Sequence, residues 1–189
     1  MITADKHAVI SGGGLAGSLL ALVLANRGMR VTVFEKRGDL RSLKAPSGKS
    51  INLALSERGV HALSKVDLAD KVLKGTIPMR GRMVHARDGT TRFLPYSQNE
   101  NEYIRSVSRP GLNRILLEKA GLHPNIELHF NSEVVSTDLD KKVISINSGD
   151  SSEREVSYDL LFGADGAGSP VRSSLHAFSD IGYRQEMLE

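Results

Sequence analysis

His7-Ala8-Val9-Ile10-Ser11-Gly12-Gly13-Gly14-Leu15-Ala16-Gly17 is the stretch on which the fold of this chain turns. A short apolar run, suited to a strand buried in a parallel sheet, passes directly into three consecutive glycines. Ser18 to Asn26 follows, rich in Leu and Ala and therefore a strong helix former, and Gly28 stands where a glycine closes a helix. Arg30-Val31-Thr32-Val33-Phe34-Glu35 then reads as a second strand. These segments make one βαβ unit.

Within it, Gly12-x-Gly14-x-x-Gly17 has the spacing that binding of a dinucleotide demands. Gly12 permits a tight turn, Gly14 lets the backbone approach a pyrophosphate, and Gly17 lets helix and strand pack closely. The helix N-terminus adds unpaired N–H groups and the positive end of a dipole. Glu35, 18 residues past Gly17, ends the second strand, where a carboxylate accepts hydrogen bonds from the ribose hydroxyls of an adenosine. The plain alternative is a glycine-rich turn without a ligand. Strand, helix and acid in place weigh against it, but the fingerprint leaves NAD and FAD open.

The chain has 189 residues, 40% hydrophobic and 25% charged, the balance of a globular protein with a real core and not of a disordered or fibrous one. No apolar run approaches the roughly 18 residues a membrane helix needs. Met1 to His7 lacks the layout of a signal peptide, so a cytoplasmic location is expected. Zero cysteines exclude a disulfide scaffold, a thiolate metal site and a cysteine nucleophile. The net charge of +3 comes from scattered basic residues, and aromatics are only 5%, so nucleic acid is not expected as a partner.

Leu40 to Lys49 reads as an exposed loop, Ile51 to Leu55 as a short strand and Glu57 to Val66 as a helix. Arg82–Ala86 and Thr91–Leu94 flank Asp88-Gly89, a β-hairpin signal. Arg109-Pro110-Gly111 opens a helix to about Ala120, with Ser108 or Arg109 near its cap. Strands are expected near Ile126–Phe130 and Val143–Ile146, and a last apolar run, Tyr158 to Gly163, leads into Ala164-Asp165-Gly166. His61, His85, His123, His129 and His176 show no metal spacing, and there is no Gly-x-Ser-x-Gly elbow, so metalloenzyme and hydrolase readings fall away.

Asp165-Gly166-x-x-Ser169-x-x-Arg172, taken alone, fits a strand-to-helix turn with Asp165 or Ser169 as N-cap. Paired with the first fingerprint, it resembles the Asp-Gly motif of the flavoprotein aromatic hydroxylases. Further blocks resemble the kynurenine-hydroxylating branch of that family: Gly48-Lys49-Ser50-Ile51-Asn52-Leu53-Ala54-Leu55-Ser56-Glu57-Arg58-Gly59, Pro78 to His85, Pro95-Tyr96, and Ser106-Val107-Ser108-Arg109-x-x-Leu112-Asn113. Their order and spacing carry the likeness to about Leu175. Three departures stand out: Ser11, Lys49 and Ser97.

The resemblance implies an α/β, Rossmann-like FAD-binding domain with inserted β-hairpins over residues 1–175, including a substrate-contacting hairpin at about 79–97. Residues 176–189 would begin a substrate domain. It implies an N-terminal portion of a longer enzyme, inactive alone, because the family's Gly-Asp motif and closing elements are missing from this sequence. The implied activity is hydroxylation of L-kynurenine to 3-hydroxykynurenine in tryptophan degradation, with FAD as cofactor, NADPH as co-substrate and dioxygen consumed. FAD would be held by Gly12, Gly14, Ala16, Gly17, Glu35, Lys36, Ala54, Arg109, Val134, Asp165 and Gly166. Arg82 and Tyr96 would clamp the carboxylate of the aromatic amino-acid substrate, for which a guanidinium fork and a phenol are suited. Read without the family, Arg82 is a solvated strand arginine, Tyr96 a half-buried hairpin aromatic and Arg109 a surface residue. A related hydroxylase acting on another aromatic substrate, and a non-catalytic dinucleotide-binding module, are the rival readings.

Overall fold

The elements run β1 (His7–Ser11), α1 (Leu15–Ala25), β2 (Arg30–Phe34), β3 (Asn52–Leu55), α2 (Glu57–Ser64), α3 (Ala69–Leu73), β4 (Ile77–Met79), β5 (Gly81–His85) and β6 (Thr91–Pro95). They continue with β7 (Ile104–Ser108), α4 (Arg109–Gly121), β8 (Ile126–His129), β9 (Ser132–Asp138), β10 (Val143–Ser148), β11 (Glu153–Ser157), β12 (Leu160–Gly163) and α5 (Pro170–Phe178). The computed structural model describes residues 5–42, 52–148 and 153–178. Most of the expected 40–49 loop, and residues 179–189 of the expected substrate-domain start, lie outside the described residues. The chain forms two compact units, residues 1–42 with 117–189, and residues 43–116.

The first unit is built on a four-stranded parallel sheet in the order β12-β1-β2-β8. Ala8, Val9 and Ile10 of β1 are fully buried, as the continuous apolar run requires of a strand covered on both faces. Helix α1 begins at Leu15, earlier than its Leu-rich segment suggests, because Gly14 is extended (φ −72°, ψ −173°) and acts as the N-cap. It carries no charged residue and packs on β1, β2 and β8, burying Ala21, Leu22, Leu24 and Ala25. Gly28 takes a positive φ of 86° beyond the helix end, a conformation that costs glycine little.

On the other face lies a core cluster of Val9, Phe34, Val134, Ile144, Ile146 and Tyr158. It joins the parallel sheet to an antiparallel meander in the order β11-β10-β9. Along β2, Val31 and Val33 alternate with Thr32 and Phe34 between the two faces. Helix α5 packs against β9 and β12.

The second unit contains the antiparallel sheet β3-β7-β4, the helices α2 and α3, and the two-stranded hairpin β5-β6. Helix α2 stops at Ser64, two residues short of the expected end, because Asp67 turns left-handed (φ 54°) and donates its N–H to the Ser64 carbonyl. The hairpin forms about Asp88-Gly89 as its sequence predicts, with Gly89 at φ 84° and Ala86 N–H bonded to the Thr90 carbonyl.

Candidate functional site

The strand order places a topological switch point beside β1. From β1 the sheet grows one way to β2 and β8, and the other way to β12. In an open parallel sheet, ligands bind outside the carboxyl ends of the strands at such a point. Both sequence motifs arrive there: the glycine turn leaves β1, and Ala164-Asp165-Gly166 leaves β12.

The glycines divide into two roles. A Cβ on Gly17 would stand 1.9 Å from the Gly12 carbonyl oxygen, and one on Gly12 would stand 2.4 Å from the Ala164 carbonyl oxygen. Gly12 is also at φ 102°, which disfavours any side chain. These two glycines are required by the protein's own packing. A Cβ on Gly14 would meet nothing within 4 Å. The space beside Gly14 therefore remains for a ligand, and no side chain caps α1 there. The first helical bond is Ser18 N–H to the Gly14 carbonyl at 2.9 Å, so the N–H groups of the first turn, Leu15 to Gly17, have no carbonyl four residues back within the helix, the arrangement that suits an anion.

Glu35 follows β2 and is 7% exposed. Its Oε2 accepts the Gly13 N–H at 2.8 Å, so the acid and the glycine turn are directly joined. Arg37 reaches back to it: Nε donates to Oε1 at 2.8 Å and the Arg37 N–H to Oε1 at 3.0 Å. Burial pushes the Glu35 pKa up. The Arg37 guanidinium, the Arg37 N–H and the Gly13 N–H together outweigh it and hold the carboxyl below its usual value. Glu35 is thus a permanently ionised acceptor at neutral pH, with the chemistry that ribose hydroxyls need.

Asp165 is half-buried, and its Oδ2 accepts the Ser11 hydroxyl at 3.1 Å. Ser169 caps α5 by accepting the Arg172 N–H at 3.0 Å, as the turn reading of this motif predicts. Arg172 also folds its guanidinium onto the Gly166 and Ala167 carbonyls. Gly166 is at φ 82°, with open space where a Cβ would be.

The structure therefore brings Gly12, Gly14, Gly17, Glu35, Asp165 and Gly166 to one end of one sheet. Ala16 is exposed in the first turn of α1. Lys36 is solvent-exposed and pairs with Glu133 at 3.5 Å. Val134 is 3% exposed, with its side chain in the core cluster, so what it offers a ligand is main chain. A cavity of about 220 Å³ lies elsewhere, on the meander-side face of β2 and β8 among Thr32, Phe34, His129 and Arg154, and contains no fingerprint residue.

Ala54, Arg109, Arg82 and Tyr96 belong to the second unit. Ala54 is exposed on β3 opposite Ser106, and Arg109 is exposed at the start of α4, where Ser108 Oγ accepts the Gly111 N–H at 3.3 Å. Arg82 pairs with Leu94 across the hairpin, and Tyr96 stands two residues beyond Leu94. Arg82 and Tyr96 consequently share one face of the hairpin. Sequence reasoning missed Arg37 and Ser11 as partners of the two acids. A basic residue two positions after an acid at a strand end was a readable signal; the Ser11 contact, between residues 154 positions apart, was not.

Residues 5–183 match the family described as FAD binding domain. The chain belongs to that family. It is 46% identical over 170 residues to a kynurenine 3-monooxygenase of Legionella pneumophila (strain Corby), covering 90% of this chain and 38% of that protein. It is 46% identical over 181 residues to a kynurenine 3-monooxygenase of Anopheles gambiae, covering 95% of this chain and 37% of that one. Among solved structures it resembles Pseudomonas aeruginosa PqsL in complex with 2-aminobenzoylacetate, with a TM-score of 0.74 and 25% identity over 97% of this chain and 48% of that one. The chain thus spans less than half the length of each of these proteins. For a member of the FAD-binding family, the choice between NAD and FAD left open by the glycine fingerprint falls to FAD. The α/β architecture with a parallel dinucleotide-binding sheet agrees with expectation. Among the described residues no helix is long and apolar enough to cross a membrane, and no group of three or more His, Asp or Glu is arranged to hold a metal ion.

Proposed function

We propose that this chain is the FAD-holding part of a monooxygenase that hydroxylates L-kynurenine to 3-hydroxykynurenine, using NADPH and dioxygen. The observation that carries the reading is the meeting of the glycine turn, Glu35 and Asp165 at the switch point, in a chain 46% identical to kynurenine 3-monooxygenases. The FAD-binding domain is placed at residues 1–175.

The residues fit the cofactor on their own chemistry. Gly14 and the first turn of α1 would take the pyrophosphate, with Ala16 beside it; Glu35 would accept from the ribose, with Lys36 alongside; Asp165 and Gly166 would face the flavin end. Ala54, Arg109 and the Val134 main chain complete the proposed set. Bound FAD supplies the electron transfer and oxygen activation that no side chain here provides. The protein's part is to hold the nucleotide, to neutralise its phosphates with main-chain N–H groups and to orient the substrate. Arg82 and Tyr96, on one face of the β5–β6 hairpin, would hold the substrate carboxylate, the guanidinium by paired charged hydrogen bonds and the phenol by one more.

The test is to supply the full-length protein with FAD, NADPH, oxygen and L-kynurenine and to measure 3-hydroxykynurenine by chromatography. Kynurenine-dependent product with matching NADPH consumption supports the reading. A protein that binds FAD but makes no such product overturns the substrate assignment and leaves the cofactor assignment standing.

A further inference from the structure

We infer that Ser11 is a positioning residue, whose hydroxyl fixes the Asp165 carboxylate to receive a hydroxyl group of the bound flavin nucleotide. The inference deepens the FAD reading and rests on it.

Ser11 closes β1 and is 2% exposed, after three residues, Ala8, Val9 and Ile10, that are wholly buried and apolar. A hydroxyl at such a place must be hydrogen-bonded. Its partner is Asp165 Oδ2, at 3.1 Å, and since an ionised carboxylate only accepts, the serine is the donor. The main chain joins the same two strand ends. Ser11 stands opposite Gly163 in the register of β1 and β12, and its carbonyl accepts the Ala164 N–H at 2.7 Å. Asp165 is therefore anchored to β1 twice, once through the adjacent peptide and once through its own carboxylate.

The far side of the same loop is held independently. Gly166 turns with a positive φ of 82°, and Arg172 of α5 binds the carbonyls of Gly166 and Ala167. With the loop fixed from both sides, the remaining freedom is rotation of the Asp165 side chain, and that is the freedom the Ser11 bond removes.

The electrostatics say what such a restraint is for. A carboxylate free to swing toward a pyrophosphate would repel it. With Oδ2 engaged by Ser11, the charge stays beside β1 and Oδ1 is left for a second donor. An ionised carboxylate takes O–H or N–H groups, so its ligand partner is a hydroxyl-bearing part of the nucleotide and not a phosphate.

The experiment is FAD titration by isothermal calorimetry into the purified apoprotein, for wild type, Ser11→Ala, Asp165→Ala, their double variant, Ser11→Thr and Asp165→Asn, with the apoprotein thermal midpoint of each. Ser11→Ala is expected to weaken FAD binding about three- to thirtyfold, less than direct loss of a hydrogen bond to a charged group would cost, because Asp165 keeps its charge and loses only its restraint. On the Asp165→Ala background the same substitution is expected to change affinity by less than about twofold, because a residue acting through Asp165 has nothing left to act on. Ser11→Thr, which keeps the hydroxyl, is expected to recover much of the loss. Asp165→Asn leaves β1 intact while removing the charged acceptor, and should also weaken binding about threefold or more, which covers the case of a Ser11→Ala protein that does not fold. Wild-type affinity in Ser11→Ala or in Asp165→Asn, or an equal loss from Ser11→Ala with and without Asp165, overturns the proposal. A wild-type protein that binds no FAD overturns the cofactor reading and this inference with it.

Discussion

At the turn after β1, a Cβ on Gly17 would lie 1.9 Å from the Gly12 carbonyl oxygen; on the β5–β6 hairpin, Met83, Phe93 and Tyr96 are 54%, 50% and 48% exposed. The first region is specified by backbone packed on backbone, with Glu35 and Asp165 tied into it by buried or half-buried hydrogen bonds. The second is specified by cross-strand register, which aligns Arg82 and Tyr96 while leaving their side chains in solvent. The cofactor turn and the hairpin are therefore expected to respond to substitution in opposite ways. Filling the packed glycines of the turn should cost the fold and the cofactor together, whereas changes on the hairpin should leave the fold intact and remove only recognition.

The sharpest way to break that contrast is Gly17→Ala. The added carbon meets main chain that cannot move aside, so a loss of about 3 kcal/mol is expected, at the upper end for overpacking, or roughly 6–12 °C in thermal midpoint. A midpoint within a degree or two of wild type would show that the turn is looser than its geometry. Arg82→Ala comes next. In the full-length protein it should weaken kynurenine binding by about 1.5–3 kcal/mol, roughly ten- to a hundredfold, with FAD content unchanged. Titration by flavin absorbance reads both quantities. Tyr96→Phe removes one neutral donor and keeps the ring, so about 0.5–1.5 kcal/mol of substrate affinity should go with it. Phe93→Ser, on a half-exposed ring of the same hairpin, should move stability by less than about 1 kcal/mol in a denaturant titration. A cost matching that of Gly17→Ala would erase the distinction between the two regions.

The smallest effect is one of pH. Glu35 has a carboxyl held below its ordinary value of 4.5 in the folded protein, so the folded state binds that proton less readily than the unfolded one. Its contribution to stability is therefore present in full above about pH 4.5, and is lost as pH falls through the lower folded value. The difference in thermal midpoint between wild type and Glu35→Gln should be constant from pH 5 to 8 and should shrink below pH 4.5. A difference that grows on acidification would reverse the sign.

Much of the first unit was legible because its signals are strong and local. The apolar run 7–11, the glycine spacing, the Leu-rich helix and the strand ending in Glu35 each state their own structure, and Asp88-Gly89 states the hairpin. What sequence reading did not find were β9 and β11 of the meander, with α3, β4 and β7. The segment Ser132-Glu133-Val134-Val135-Ser136-Thr137-Asp138 and the segment Glu153-Arg154-Glu155-Val156-Ser157 are polar and charged, and become strands by pairing on both sides of β10, with Val134 as the apolar contact of β9 to the core. Helix α3 has five residues and β4 has three, too short for a periodicity to register. The roles of Arg37 and Ser11 differ in kind from these. They depend on which acid each side chain meets after folding, and for Ser11 that acid lies at the far end of the sequence.

Glu35, carried to the glycine turn by β2, is proposed to receive the ribose of FAD. The most direct measurement is the FAD dissociation constant of Glu35→Ala against wild type by isothermal calorimetry, with the apoprotein thermal midpoint as a control for folding. A loss of about 1–3 kcal/mol, roughly five- to 150-fold, is expected in a protein that still folds. A folded Glu35→Ala protein that binds FAD with the wild-type constant would contradict it.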